Sequence, residues 1–85
     1  MVTIEGYVEK IVYRNEENGY TVLSVTVEED DLTCVGNFAF VNEGEYLRME
    51  GEYSAHSMYG EQFKVNGYEI IQPEDEIAIT RYLAS

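Results

Sequence analysis

The sequence predicts a mainly-β fold: a five-stranded OB-like Greek-key barrel, of the oligonucleotide/oligosaccharide-binding type, followed by a short C-terminal α-helix. Three observations predict it. Five strand-like runs fill residues 2–71, turn signals separate them, and one helical pattern follows Pro73. The expected division is a barrel over 1–71 and a helix over 72–85.

The first run, residues 3–14, alternates through Ile4, Gly6 and Val8, then changes phase to Ile11 and Tyr13. A slip near Glu9-Lys10 predicts a β-bulge, which lets a long first strand curve around a small barrel. Gly6 predicts a bend or a close backbone approach. Asn15-Glu16-Glu17-Asn18-Gly19 reads as a hairpin loop, with Asn18 and Gly19 expected at positive φ. The second run, 20–27, puts Thr21, Leu23, Val25 and Val27 on one face and Tyr20, Val22, Ser24 and Thr26 on the other. Glu28-Glu29-Asp30-Asp31 is a self-repelling, solvated turn. The third run, 32–38, carries Cys34 and Gly36 on the Leu32 face.

Val41-Asn42-Glu43-Gly44 is a turn, so only residues 39–43 are free before the next strand. That is too short for a stable helix. The helix usual between the third and fourth strands of such barrels is therefore expected to be missing, and the bottom of the barrel needs another plug. The fourth run, 45–54, alternates most clearly, with Leu47, Met49, Gly51 and Tyr53 inward and Tyr46, Arg48, Glu50 and Glu52 outward. His56-Ser57-Met58-Tyr59-Gly60 is the next turn. The fifth run, 62–71, places Phe63 and Val65 inward, and Gly67 shifts the phase so that Tyr68 and Ile70 continue the core. Pro73 then opens a helix whose first turn holds Glu74, Asp75 and Glu76, favourable at a helix N-terminus. Ile79, Tyr82 and Leu83, with Ala78, form its apolar stripe. This helix either plugs the barrel or begins a following helical region.

Composition bounds the function. Eighty-five residues make one small domain, and 45% hydrophobic content fits a packed core. The single Cys34 cannot form an internal disulfide, and no signal-peptide pattern or spanning apolar run is present, so the expected compartment is the cytoplasm, with no membrane partner. The net charge is −12, and residues 1–71 alone hold fourteen acids against four bases. Lys and Arg drive backbone binding by releasing counterions, so tight autonomous gripping of nucleic acid is not expected.

No catalytic constellation is present. There is no G-x-x-x-x-G-K-[ST] loop for a nucleotide phosphate. One histidine and one cysteine, twenty-two positions apart, cannot make a metal site. His56 reads as a turn histidine beside Ser54 and Ser57, Cys34 as a small buried hydrophobe, and Glu28 to Asp31 as a solvated charge run without the spacing of a calcium loop. The expected entries under catalytic, metal and cofactor residues are therefore none.

The eight tyrosines allow two readings. Tyr7, Tyr13, Tyr53 and Tyr68 suit half-buried strand positions. Tyr46 beside Arg48, and Tyr59 before Lys64, could pair a stacking ring with a cation. A nucleic-acid-binding module would use Lys10, Arg14, Arg48 and Lys64 along one groove, with Tyr46 or Tyr59 stacking. A docking module would use Ile79, Tyr82 and Leu83 with an edge strand. A third class is an acidic protein-interaction domain whose carboxylates mimic phosphates.

Specific residues carry a resemblance. Gly6-x-Val8-x-x-Ile11, then Asn15-Glu16-Glu17-Asn18-Gly19-Tyr20-Thr21-Val22, resembles the N-terminal segment of RecD-like ATP-dependent DNA helicases, larger relatives of the exodeoxyribonuclease V alpha chain. Val35-Gly36-Asn37, Asn42-x-Gly44-Glu45, Gly51-Glu52-Tyr53-x-x-His56-x-x-Tyr59-Gly60-x-Gln62-Phe63-Lys64-Val65 and Tyr68-Glu69 continue it in order, as does the end from Pro73 through Arg81-Tyr82-Leu83-Ala84-Ser85. The resemblance implies a parent enzyme that hydrolyses ATP with magnesium and unwinds DNA 5′ to 3′ in repair or recombination. Its motor would lie after Ser85, beyond a helix-hairpin-helix region. The chain itself would be a non-catalytic accessory domain. Its partner would be the rest of its own helicase chain, with DNA reached through the parent.

Overall fold

The computed structural model describes residues 1–56, 58 and 60–72, the side chain of His56 apart. The helix expected over 72–85, with Ile79, Tyr82 and Leu83, and the candidate Tyr59 lie outside the described residues. Five strands follow in order: β1 (Val2–Arg14), β2 (Tyr20–Val27), β3 (Asp30–Asn37), β4 (Tyr46–His56) and β5 (Gly60–Ile70). They close a barrel in the order β1-β2-β3-β5-β4, with β4 returning to β1. All neighbours are antiparallel except β3 and β5, which pair in parallel through Thr33, Cys34 and Val35. This is a five-stranded Greek-key barrel consistent with an OB fold.

The alternation of apolar residues sets which faces turn inward. Val8, Leu23, Val25, Cys34, Leu47, Met49 and Phe63 are buried in one cluster, with Ile4, Ile11, Val27, Leu32, Val65 and Tyr68 packed against it. Burial pushes the Cys34 thiol up to about 12. Gly51 explains how the wall stays tight: a Cβ there would lie 1.9 Å from the backbone oxygen of Lys64. Gly6 makes the close approach expected of it, since a Cβ would lie 2.4 Å from the Thr26 oxygen.

β1 slips twice, not once. The first shift falls between Val8 and Lys10, as the sequence predicts, and the second between Ile11 and Tyr13. The second bulge turns Tyr13 away from the core, where the phase expected it, and leaves it 51% exposed. In β5 the phase changes opposite Glu50/Gly51, which keeps Tyr68 against the core. Ile70 pairs in register with Leu47 yet is half exposed, so it is not the core residue expected.

Two turns also differ from expectation. In the first hairpin only Gly19 takes positive φ, at 79°. Asn18 contributes through its side chain instead, its Oδ1 accepting from Tyr20 N at 2.9 Å. The acidic turn is tighter than its four residues suggest. Val27 pairs with Asp30, so Glu28 and Glu29 alone form the loop, with Glu28 at φ 59°. Asp30 and Asp31 belong to β3.

No helix fills the space between β3 and β4 among the described residues, and the linker itself is the plug. Phe38 and Val41 are fully buried in the core, and Phe38 stacks at a tilt on Tyr68 with centroids 4.9 Å apart. The linker then runs beside the second half of β1. Val8 N donates to Glu45 O at 2.8 Å, Gly44 N to Val8 O at 2.7 Å, and Ile11 N to the Glu43 carboxylate at 3.0 Å. The guanidinium of Arg14 donates to the carbonyls of both Phe38 and Val41. A buried carbonyl without a donor costs about 1–3 kcal/mol, so this clamp matters to the whole barrel end.

Three outcomes are expected. Gly51→Ala lowers stability in urea by about 3 kcal/mol, because backbone and not a flexible side chain stands in the way. Arg14→Met lowers it by about 2 kcal/mol, since it keeps the apolar stem but leaves two carbonyls without their donor. The Cys34 thiol has its folded pKa raised from 9.0 to about 12, so its contribution is full below pH 9 and fades as pH rises toward 12. Urea midpoints at pH 8 and 10.5 should therefore fall more steeply in the native chain than in Cys34→Ala.

Candidate binding surfaces

The four bases of the described residues divide into two pairs. Arg14 points into the structure and holds the linker; its Nε is buried without a hydrogen-bond partner. Arg48 stands on the outer face of β4 between two neighbours. Its Nε donates to Glu5 on β1 at 2.9 Å and its Nη1 to Glu69 on β5 at 2.7 Å. Cross-strand register explains this: Glu5, Arg48 and Glu69 lie side by side across β1, β4 and β5. The bonds to Glu5 and then Glu69 raise the guanidinium pKa above its ordinary value. Tyr46, on the same strand, is half-buried.

Lys10 and Lys64 differ. Both are exposed, and among the described residues neither makes an ion pair. The ladders place them on one side of the barrel. Lys10 aligns with Ser24, Thr33 and Gln62 across β1, β2, β3 and β5. The next outward row runs from Tyr13 through Val22 and Val35 to Lys64. Tyr20 and Asn37 form a third, shorter row. None of these positions carries a carboxylate, although fourteen of the chain's acids precede residue 73. The four candidate cations are thus not brought into one groove: two share this band and two are engaged elsewhere.

The band has relief as well as charge. Its margins are exposed: Lys10, Tyr13, Tyr20, Asn37 and Lys64. Its middle is lower, with Val22, Ser24 and Thr33 half-buried and Val35 only 6% exposed despite facing outward. Acids bound it. Asp31, paired with Thr26, closes one end, Glu16 and Glu17 sit in the hairpin at the other, and Glu52 faces Lys64 from β4. Sequence reasoning missed Tyr13 and Tyr20 as surface residues here. The alternation of β2 carried the signal for Tyr20; nothing in it exposed the second bulge that frees Tyr13.

A second surface lies at the linker. Between the anchors Phe38 and Val41, Phe40 is 86% exposed. Val12, the residue skipped at the second β1 bulge, is 57% exposed, and its flanking residues Ile11 and Arg14 both bond to this linker. No sequence signal singled out Phe40, because its role depends on what holds its neighbours.

Neither surface contains chemistry for bond-making. Two depressions, of about 280 and 310 Å³, meet at Gly67 and Tyr68; Arg48, Glu50 and Glu69 line one, and Asn37, Val65 and Asn66 the other. Neither sets a nucleophile beside a base. No group of three or more His, Cys, Asp or Glu converges as metal ligands among the described residues.

Comparison with known families agrees with the barrel. The family model described as the OB-fold domain of the ATP-dependent DNA helicase YrrC matches residues 1–73, which takes in all five strands. The chain therefore belongs to the family of OB-fold domains found in the ATP-dependent DNA helicase YrrC.

Proposed function

We propose that this chain is a non-catalytic accessory domain of an ATP-dependent 5′–3′ DNA helicase of DNA repair and recombination, and that it docks on the rest of its own chain through Phe40. ATP and magnesium belong to the motor, not to this barrel. The observation that carries the docking role is the pairing of exposure with rigidity at the linker. Phe40 is 86% exposed, while the residues around it are fixed by burial of Phe38 and Val41 and by the Arg14 clamp. A side chain presented on a fixed loop loses little conformational freedom when it binds, so more of its burial appears as affinity. Large aromatics seated in a partner's pocket are also the residues that dominate interfaces. The same reading assigns the cytoplasm as the compartment.

The test mixes this domain with the remainder of its helicase chain, produced separately, and measures association by calorimetry. Phe40→Asp is expected to weaken association at least about thirtyfold, the equivalent of about 2 kcal/mol for a central aromatic anchor. The variant should keep the far-ultraviolet spectrum of the native barrel, since the side chain is outside the core. Equal association of the two proteins would refute the docking role. ATP turnover by the domain alone would refute the non-catalytic one.

A further inference from the structure

We infer that the carboxylate-free band across β1, β2, β3 and β5 is a short binding track for single-stranded nucleic acid, with Lys10 and Lys64 meeting phosphates and Tyr13 and Tyr20 stacking bases. The inference does not rest on the docking role of Phe40.

The first argument is electrostatic sorting. The described residues hold fourteen acids and four bases. Of the four bases, the two whose charge is unpaired both fall on the one band that lacks acids. Like charges would repel a phosphate at close range, within about a Debye length of 10 Å, so an acid-free window decides where an anionic chain can lie. The rest of the outer wall excludes it: Glu5, Arg48 and Glu69 form a closed ionic row, and Glu50 and Glu52 flank it on β4.

The second argument is chemical fit. Tyr13 and Tyr20 are 51% and 44% exposed, so their ring faces can accept unpaired bases. Between the margins lie small neutral side chains, Ser24 and Thr33, over an apolar floor at Val35. Such a floor suits the face of a base, and the hydroxyls suit its edges or the sugar. An acidic peptide would also welcome two lysines, but it would leave two ring faces uncovered.

The third argument is size, which sets the expected strength. Four strands about 4.8 Å apart span about 14 Å, so the track is short and falls at the low end of about 4–16 nucleotides per OB fold. Two phosphate contacts release few counterions: the slope of log K against log salt should be no steeper than about −1.4 for a single strand. Binding is therefore weak in the isolated domain. It gains when the motor holds the same strand nearby, because a tethered second contact acts at high effective concentration.

The test is fluorescence anisotropy with a labelled oligothymidylate at about 50 and 200 mM salt, against the native chain and variants. Native binding should weaken with salt along a slope near −1. Lys10→Ala and Lys64→Ala should each flatten the slope by about 0.7. Tyr13→Ala should weaken binding about tenfold with the slope unchanged, since stacking releases no ions. Phe40→Asp should leave all of this unaltered, which separates this surface from the docking one. Three results overturn the inference: no binding at the lower salt, lysine variants that bind like the native chain, or an acidic aromatic peptide that binds tighter than the oligonucleotide.

Discussion

One guanidinium closes this barrel. Five strands leave an end that must be covered, and the linker between β3 and β4 is too short to cover it with a helix. An irregular segment can do so only if its buried carbonyls find donors. Arg14 supplies them to Phe38 and Val41 together. With those two carbonyls satisfied, both side chains turn inward to the core and the residues between them turn out. The exposed Phe40 is thus a consequence of the clamp. So is the loss of Arg14 as a contact for external anions.

The remaining charges are sorted with similar economy. Arg48 sits between Glu5 and Glu69 because the ladder places all three in one outward row. Pairs this exposed add little stability. Their effect is on the surface: one of few cations is neutralised on the side where acids concentrate. Lys10 and Lys64 stay unpaired on the other side, where no acid competes. The net charge therefore misleads as a guide to this molecule. What matters to an anion is the local field, and that field is uneven.

Much of this was legible in the sequence. Alternation gave the inward faces of β2, β3 and β4, and the phase slip at Glu9-Lys10 marked a real bulge. The five residues after Ala39 were rightly read as too few for a helix. Three features were not legible. The second bulge near Val12 has no glycine or proline to announce it, and it alone moves Tyr13 from core to surface. Arg14 ends an ordinary strand pattern, and only the closed barrel brings the linker carbonyls to it. The union of Lys10 with Lys64 depends on the β3–β5 parallel pairing, a contact between strands far apart in the chain. Local patterns report on faces; they do not report on which faces meet.

β1 connects the two surfaces. Along its second half one edge pairs with β2, and the other is held by the linker through Val8, Ile11 and Arg14. The two bulges let one strand serve both edges, since each slip re-aims the residues that follow. Lys10 and Tyr13 follow those slips and face the band, while Arg14, one residue on, faces the linker. Any partner that seats on Phe40 therefore pulls on a segment bonded to the same stretch of β1 that presents Lys10 and Tyr13. The two sites share a support rather than a cavity, so contact at one can bias the geometry of the other without any residue touching both.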